Sequence, residues 1–269
     1  MEPNDRIIYS LEGFLRRLSM NKKYAETWIL RGSLVMRQWS KNRVVKDIDF
    51  YILQEDNFIF DSDEIKNIIK EILLSVTMDN LIMEDIDYQV TWFDEVNGGH
   101  KGIRITLKVS HSVEKWSEII IIDLGLDDPL SDDNPWIDYK TLNGDILMIR
   151  SSPPIVALAW KLQLLLKGNW RAKDVADIYV LTDFMKNTIN EIDLQHAVIR
   201  IFKFRNQSID KLQLLLKRKM GHSRQARIKW KNFLSESTVE WKLMLPGAIR
   251  ETFNIIADRL SPSLNSLII

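Results

Sequence analysis

From Arg6 to Leu18 the apolar residues Ile7, Ile8, Leu11, Phe14, Leu15 and Leu18 recur three and four positions apart, the spacing of one face of an α-helix. Thr27–Leu30 is a short β-prone run that stops at Arg31-Gly32-Ser33, where Ser33 is placed to cap a helix reaching Trp39. Lys46–Leu53 alternates apolar and polar positions and reads as a second strand. Asp63–Val76 returns to helical spacing, with Ile65, Ile68, Ile69, Ile72 and Leu73 on one face. Strand-like segments follow at Tyr88–Phe93, Ile103–Val109 and Glu118–Leu124. A turn at Asn97-Gly98-Gly99 separates the first two, and Asp127–Asn134 is an acidic, proline-containing loop.

Beyond Ser151-Ser152-Pro153-Pro154 the periodicity becomes helical throughout. The predicted helices are Ile155–Lys167, Lys173–Met185, Leu194–Phe202, Ile209–Met220, Ser223–Leu234 and Ala248–Leu260. Strands first and helices afterwards predict an α+β domain over residues 1–150 and an α-helical domain over residues 151–269.

Composition narrows the chemistry. The 269 residues contain no cysteine, which excludes disulfides, thiol catalysis and every cysteine-containing zinc site. The four histidines, His100, His111, His196 and His222, are scattered, so any metal would be held by carboxylates, the ligands of a hard ion such as magnesium. The apolar runs Ile119–Ile122 and Ile155–Leu166, the latter broken by Lys161, fall short of the roughly 20 apolar residues that span a bilayer. With a polar N-terminus lacking the apolar core of a signal peptide, the expectation is a cytoplasmic protein without membrane partners. Net charge is zero but unevenly spread: residues 55–99 hold twelve acidic and two basic side chains, residues 203–231 ten basic and one acidic.

The most informative segment is Gly32-Ser33 followed, thirteen residues on, by Asp47-Ile48-Asp49-Phe50. In a strand, residues i and i+2 share a face, so Asp47 and Asp49 project side by side while Ile48 and Phe50 face the core. Adjacent carboxylates repel unless a cation lies between them. A third carboxylate would allow two ions, the arrangement used for in-line displacement at phosphorus. Asp123, at the end of the apolar run Ile119–Ile122 where a purely structural role is hard to see, is the candidate third ligand, with Asp127 and Asp128 behind it. Glycine lets a backbone approach a phosphate, and the serine hydroxyl offers it a donor. A D-x-D pair at a strand end also occurs where both carboxylates simply face water, and Gly-Ser is a common helix start.

A second constellation lies in the helical half. Lys161 interrupts the apolar helix Ile155–Leu166, either snorkelling to solvent or serving as a phosphate-binding cation in the cleft between the domains. Asp174 and Asp177 fall at i, i+3 on one face of the helix that begins near Lys173. They either cap that helix and pair locally with Arg171 or Lys173, or one of them orients Lys161 or acts near the nucleophile.

Together these segments resemble a known family. The strand, Gly32-Ser33, helix and Asp47-Ile48-Asp49 look like the core of DNA polymerase beta-type nucleotidyltransferases. Ala159-Trp160-Lys161-Leu162 followed by Lys173-Asp174-Val175-Ala176-Asp177-Ile178-Tyr179 resembles the AbiEii/AbiGii toxin family, which is related to the MenT toxins. Arg43 matches the basic residue that family carries ahead of its D-x-D, and Ile122-Asp123-Leu124-Gly125 with Asp127 is similar to its later strand and loop.

The resemblance covers residues 27 to 182 and implies a nucleotidyltransferase-type mixed β-sheet with flanking helices. It further implies a toxin of a bacterial toxin–antitoxin or abortive-infection system that uses NTP and two Mg2+ ions to add nucleotides to a tRNA 3′ end. In that reading Asp47, Asp49 and Asp123 bind metal. Gly32, Ser33, Arg43 and Lys161 contact the nucleotide, Asp174 is an active-site carboxylate, and a cognate antitoxin protein is a partner.

The basic stretch 203–231, in which Phe202, Phe204, Trp230 and Phe233 sit among Lys and Arg, could face an RNA backbone or simply solvent. Rival readings are transfer to a protein hydroxyl or small molecule, and a binding module with a decayed site.

Overall fold

In the computed structural model, which describes residues 1–40, 43–53, 62–93, 100–125, 134–168 and 170–268, the first helix already shows how the apolar stripe works. Helix α1 (Pro3–Met20) buries Ile8, Leu11, Phe14, Leu15 and Leu18, and extends past the predicted stripe at both ends. A short helix α2 (Lys22–Thr27) leads into β1 (Trp28–Arg31), α3 (Gly32–Met36) and β2 (Asp47–Ile52). Next come α4 (Ser62–Leu73), β3 (Leu81–Phe93), β4 (His100–His111) and β5 (Ser117–Gly125), then a hairpin of β6 (Trp136–Lys140) and β7 (Ile146–Arg150).

The five main strands form a mixed sheet in the order β1-β2-β5-β4-β3, with β2 and β5 parallel and the other pairs antiparallel. Alternation decides its faces. Ile48 and Phe50 of β2, Ile103, Ile105, Leu107 and Val109 of β4, and Ile120, Ile122 and Leu124 of β5 are buried on one side. Helix α1 packs onto that apolar side along β5, and Phe14, Trp28 and Phe50 form an aromatic cluster there, with Trp28 and Phe50 ring centroids 5.4 Å apart. The other side carries Asp47, Asp49, Asp123 and Arg104.

The chain divides into two compact units, Met1–Gln38 with Arg43–Ser152, and Trp39–Asn42 with Pro153–Ile269. The second unit is helical: α5 (Pro154–Leu166), α6 (Ala172–Phe184), α7 (Glu191–Phe204), α8 (Leu212–Leu216), α9 (Arg224–Glu236), α10 (Val239–Met244) and α11 (Ile249–Leu264). Helix α5 packs on α6 and α7, and α11 packs on α6, α7 and α8. No described helix is long and apolar enough to cross a membrane.

Several expectations change. Ser33 does not cap α3; Arg31 holds the N-cap position without a side-chain cap, and α3 ends at Met36 rather than Trp39. Strand β3 starts at Leu81, seven residues before Tyr88, because pairing with β4 carries an acidic segment that has no apolar alternation. The predicted helix over Ile209–Met220 is a 3-10 turn (Ile209–Lys211) and the short α8; Arg218 takes the left-handed conformation (φ 53°), which closes it.

The hairpin β6–β7 has no counterpart among the predicted strands, and a buried charge ties it down. Glu12, on the core side of α1, accepts hydrogen bonds from the Tyr139 hydroxyl (3.1 Å) and the Leu142 N–H (2.8 Å). Burial pushes the Glu12 carboxyl up, partly opposed by these bonds and by Arg37. The predicted turn at Asn97-Gly98-Gly99 and nearly all of the loop 127–134, with Asp127 and Asp128, lie outside the described residues.

Candidate functional site

Strand register assembles the site. Arg31 of β1 lies opposite Asp49 of β2, Asp49 lies beside Asp123 of β5, and Asp123 lies opposite Arg104 of β4. In-register neighbours on adjacent strands share a face, so four charged residues cross the sheet in one row, Arg31–Asp49–Asp123–Arg104. Asp47 is one pleat away on the same face. Asp49 and Asp123 are in-register neighbours and Asp47 shares their face, while neither arginine was marked by its local sequence.

The Gly-Ser step closes on this row from the side. Gly32 has φ of +73°, a conformation L side chains rarely adopt, and a Cβ there would lie 1.9 Å from Asp49 Oδ2. Glycine at 32 is thus required twice, by the backbone turn and by the carboxylate. Ser33 donates its hydroxyl to Asp47 Oδ1 at 3.1 Å, a contact that replaces the predicted helix cap. Together the two residues touch both carboxylates of the D-x-D pair. Arg31 lies over the Tyr51 ring (5.9 Å), and a Cβ at Gly125 would come within 2.8 Å of Arg31 Nη2, so a second glycine leaves room for that guanidinium. Arg43, on the segment leading into β2, donates to the Val44 carbonyl at 3.0 Å.

Asp123 lies inside β5, two residues from its end, and is buried. Both of its oxygens are held by Arg104, with Nε to Oδ1 at 2.8 Å and Nη2 to Oδ2 at 2.7 Å. This bidentate pair supplies the structural role the sequence did not reveal. Arg104 is pushed up mainly by its hydrogen bond to Asp123, with Asp47 and Asp49 adding to the effect against partial desolvation.

As a donor set, Asp47, Asp49 and Asp123 consist only of hard carboxylate oxygens and fit a magnesium ion, while Gly32 keeps backbone close to Asp49. Among the described residues no three acidic or imidazole groups converge as metal ligands, consistent with Asp123 facing Arg104.

The helical unit contains a separate ionic cluster. Lys161 of α5 reaches Asp174 (2.8 Å) and Asp177 (2.9 Å) of α6, and Arg171 grips Asp174 with contacts of 2.6 and 3.0 Å. Both aspartates are buried, and the lysine does not snorkel. Burial alone would lower the Lys161 ammonium, but Asp177 and Asp174 outweigh it and raise it. Burial likewise opposes ionisation of Asp174, yet Lys161 and Arg171 hold it below the usual carboxylate range. Asp174 thus pairs with Arg171 and with Lys161 at once.

The basic stretch resolves into core and surface. Phe202 and Trp230 are buried, and the Trp230 indole donates to the Pro246 carbonyl (3.0 Å), so these rings do not form a stacking platform. Arg224, Arg227 and Lys231 are exposed on α9, and Lys229 donates to the Trp170 carbonyl at 2.8 Å.

No family model matches the chain, and no curated protein matches it. Solved structures do. A candidate nucleotidyltransferase from H. pylori aligns with a TM-score of 0.54 and 14% identity, over 97% of this chain and 96% of that one. JHP933 from Helicobacter pylori aligns with a TM-score of 0.54 and 13% identity, over 99% of both chains. At these identities the likeness is one of fold, and it extends over nearly the whole of each chain. The mixed five-stranded sheet with flanking helices is the α+β arrangement of that candidate nucleotidyltransferase.

Proposed function

We propose that this chain is a nucleotidyltransferase that moves a nucleotide from NTP to the 3′ hydroxyl of an RNA, with tRNA as the acceptor class, in the manner of an AbiEii-type toxin. The observation that carries the reading is the joint placement of Asp47, Asp49, Gly32 and Ser33. Two carboxylates share one sheet face, and the Gly-Ser step lies against both. The fold shared with the candidate nucleotidyltransferase supports it.

In this reading the acceptor oxygen bonds to the α-phosphorus, the bond from that phosphorus to the bridging oxygen breaks, and pyrophosphate leaves as the hydroxyl proton passes to solvent. Asp47 and Asp49 would hold Mg2+, with Asp123 as a third ligand. When bound, the ions supply charge stabilisation and a more nucleophilic acceptor oxygen. Ser33 orients Asp47 and, with NTP bound, would turn its hydroxyl from that carboxylate toward phosphate. Gly32 lets the triphosphate approach the backbone. Arg43 and Lys161 are assigned to the nucleotide and Asp174 to positioning Lys161, whose ammonium would exchange a carboxylate contact for phosphate. A cognate antitoxin protein belongs to the same proposal.

The test is incubation with each labelled NTP, magnesium and total tRNA. Wild-type protein is expected to label RNA with at least one NTP, and Asp49→Ala to label none. Equal background labelling by both with all four NTPs would overturn the assignment, and label appearing on protein or a small molecule would replace the acceptor.

A further inference from the structure

We infer that Arg104 is a positioning residue that holds Asp123 and must release it before Asp123 can serve as a third metal ligand; the inference rests on the nucleotidyltransferase reading of that face. The row places Asp123 between two competitors. On one side stands Asp49, its in-register neighbour on β2, and on the other Arg104, which occupies both carboxylate oxygens at 2.7 and 2.8 Å. Asp47, Asp49 and Asp123 repel one another without a cation, and the permanently charged guanidinium of Arg104 is the cation paired with Asp123.

Its placement also suits departure. The Asp123 side chain is 9% exposed but the Arg104 side chain is 42% exposed, so the guanidinium can move into solvent while the carboxylate stays. A divalent ion entering at Asp47 and Asp49 therefore gains Asp123 only by displacing Arg104. Asp123 should join Asp47 and Asp49 as a ligand when the arginine yields.

The probe is Mn2+ alone, titrated without nucleotide and followed by the electron paramagnetic resonance of the free ion. Arg104→Gln is expected to bind Mn2+ about tenfold or more tightly than wild type, the scale of one nearby charge, and Arg104→Lys to fall between. Asp123→Asn combined with Arg104→Gln should cancel the gain. The inference is overturned if a folded Arg104→Gln binds Mn2+ no more tightly than wild type. It is equally overturned if the gain persists in the Arg104→Gln, Asp123→Asn double variant; where Arg104→Gln does not fold, Arg104→Lys, which keeps the charge, gives the same comparison. Because no NTP is present, these outcomes are separate from failure of RNA labelling, which bears on the transferase reading alone.

Discussion

Gly32 is pressed so closely against Asp49 that a single added carbon would stand 1.9 Å from the carboxylate oxygen. With φ at +73°, the position resists any side chain on two independent grounds. Gly32→Ala is therefore expected to cost about 1–3 kcal/mol of stability and to push Asp49 out of line. Misplacement on that scale lowers rates by about a hundredfold. Urea denaturation and RNA labelling measure the two effects separately, and an unchanged labelling rate would sever Gly32 from the site.

Ser33→Ala removes one hydroxyl from Asp47 and leaves the turn intact. A hydrogen bond to a carboxylate is worth about 1.5–3 kcal/mol, so folding stability should fall by no more than that. The proposed phosphate contact predicts instead a rise in KM for NTP of about tenfold or less, with a smaller change in kcat. Steady-state kinetics over NTP concentration decide between this and a purely structural serine.

Lys161 is held by two buried carboxylates, one of which has Arg171 as a further partner. Replacing it with methionine leaves buried negative charge uncompensated, at a cost of about 3–5 kcal/mol; Lys161→Met combined with Asp177→Asn should recover part of it. The pH dependence follows from direction. Asp174 is depressed below its ordinary 3.8, so its contribution is present above that value and is lost as pH falls through the lower, folded-state pKa. Lys161 is raised above 10.5, so its contribution is present below that value and is lost as pH rises through the folded-state pKa. Thermal melts from pH 2 to 6 should show a wild-type acid transition that Asp174→Asn flattens.

Arg224, Arg227 and Lys231 lie on exposed positions of α9. If RNA is the acceptor, replacing all three with alanine should weaken tRNA binding. The salt slope should fall by about two, since each cation that neutralises a phosphate adds roughly 0.7 to it on a single strand. Filter binding across a salt series reads both effects, and an unchanged slope would leave α9 as a solvated surface.

Much of this architecture is legible in the order of residues alone. Period and punctuation are enough for α1, β2, α4, β4, β5 and the helical second half, because each buries one face and must repeat apolar residues at its own spacing. Strand alternation likewise puts Asp47 and Asp49 on one face, and the apolar helix around Lys161 marks that lysine as unusual.

What only tertiary structure decided was register and partnership. Nothing local to residue 104 indicates that β4 will set Arg104 opposite Asp123, since strand pairing joins segments distant in the chain. The same holds for Glu12, whose partners Tyr139 and Leu142 belong to a hairpin of two five-residue strands, short runs that periodicity alone does not mark. Ser33 reads as a cap because its neighbours make one plausible, and it is a carboxylate partner because β2 runs beside it. The D-x-D pair is thus a property of the sequence. Its surroundings, a glycine on one side and a guanidinium-held third aspartate on the other, arise from how the strands align.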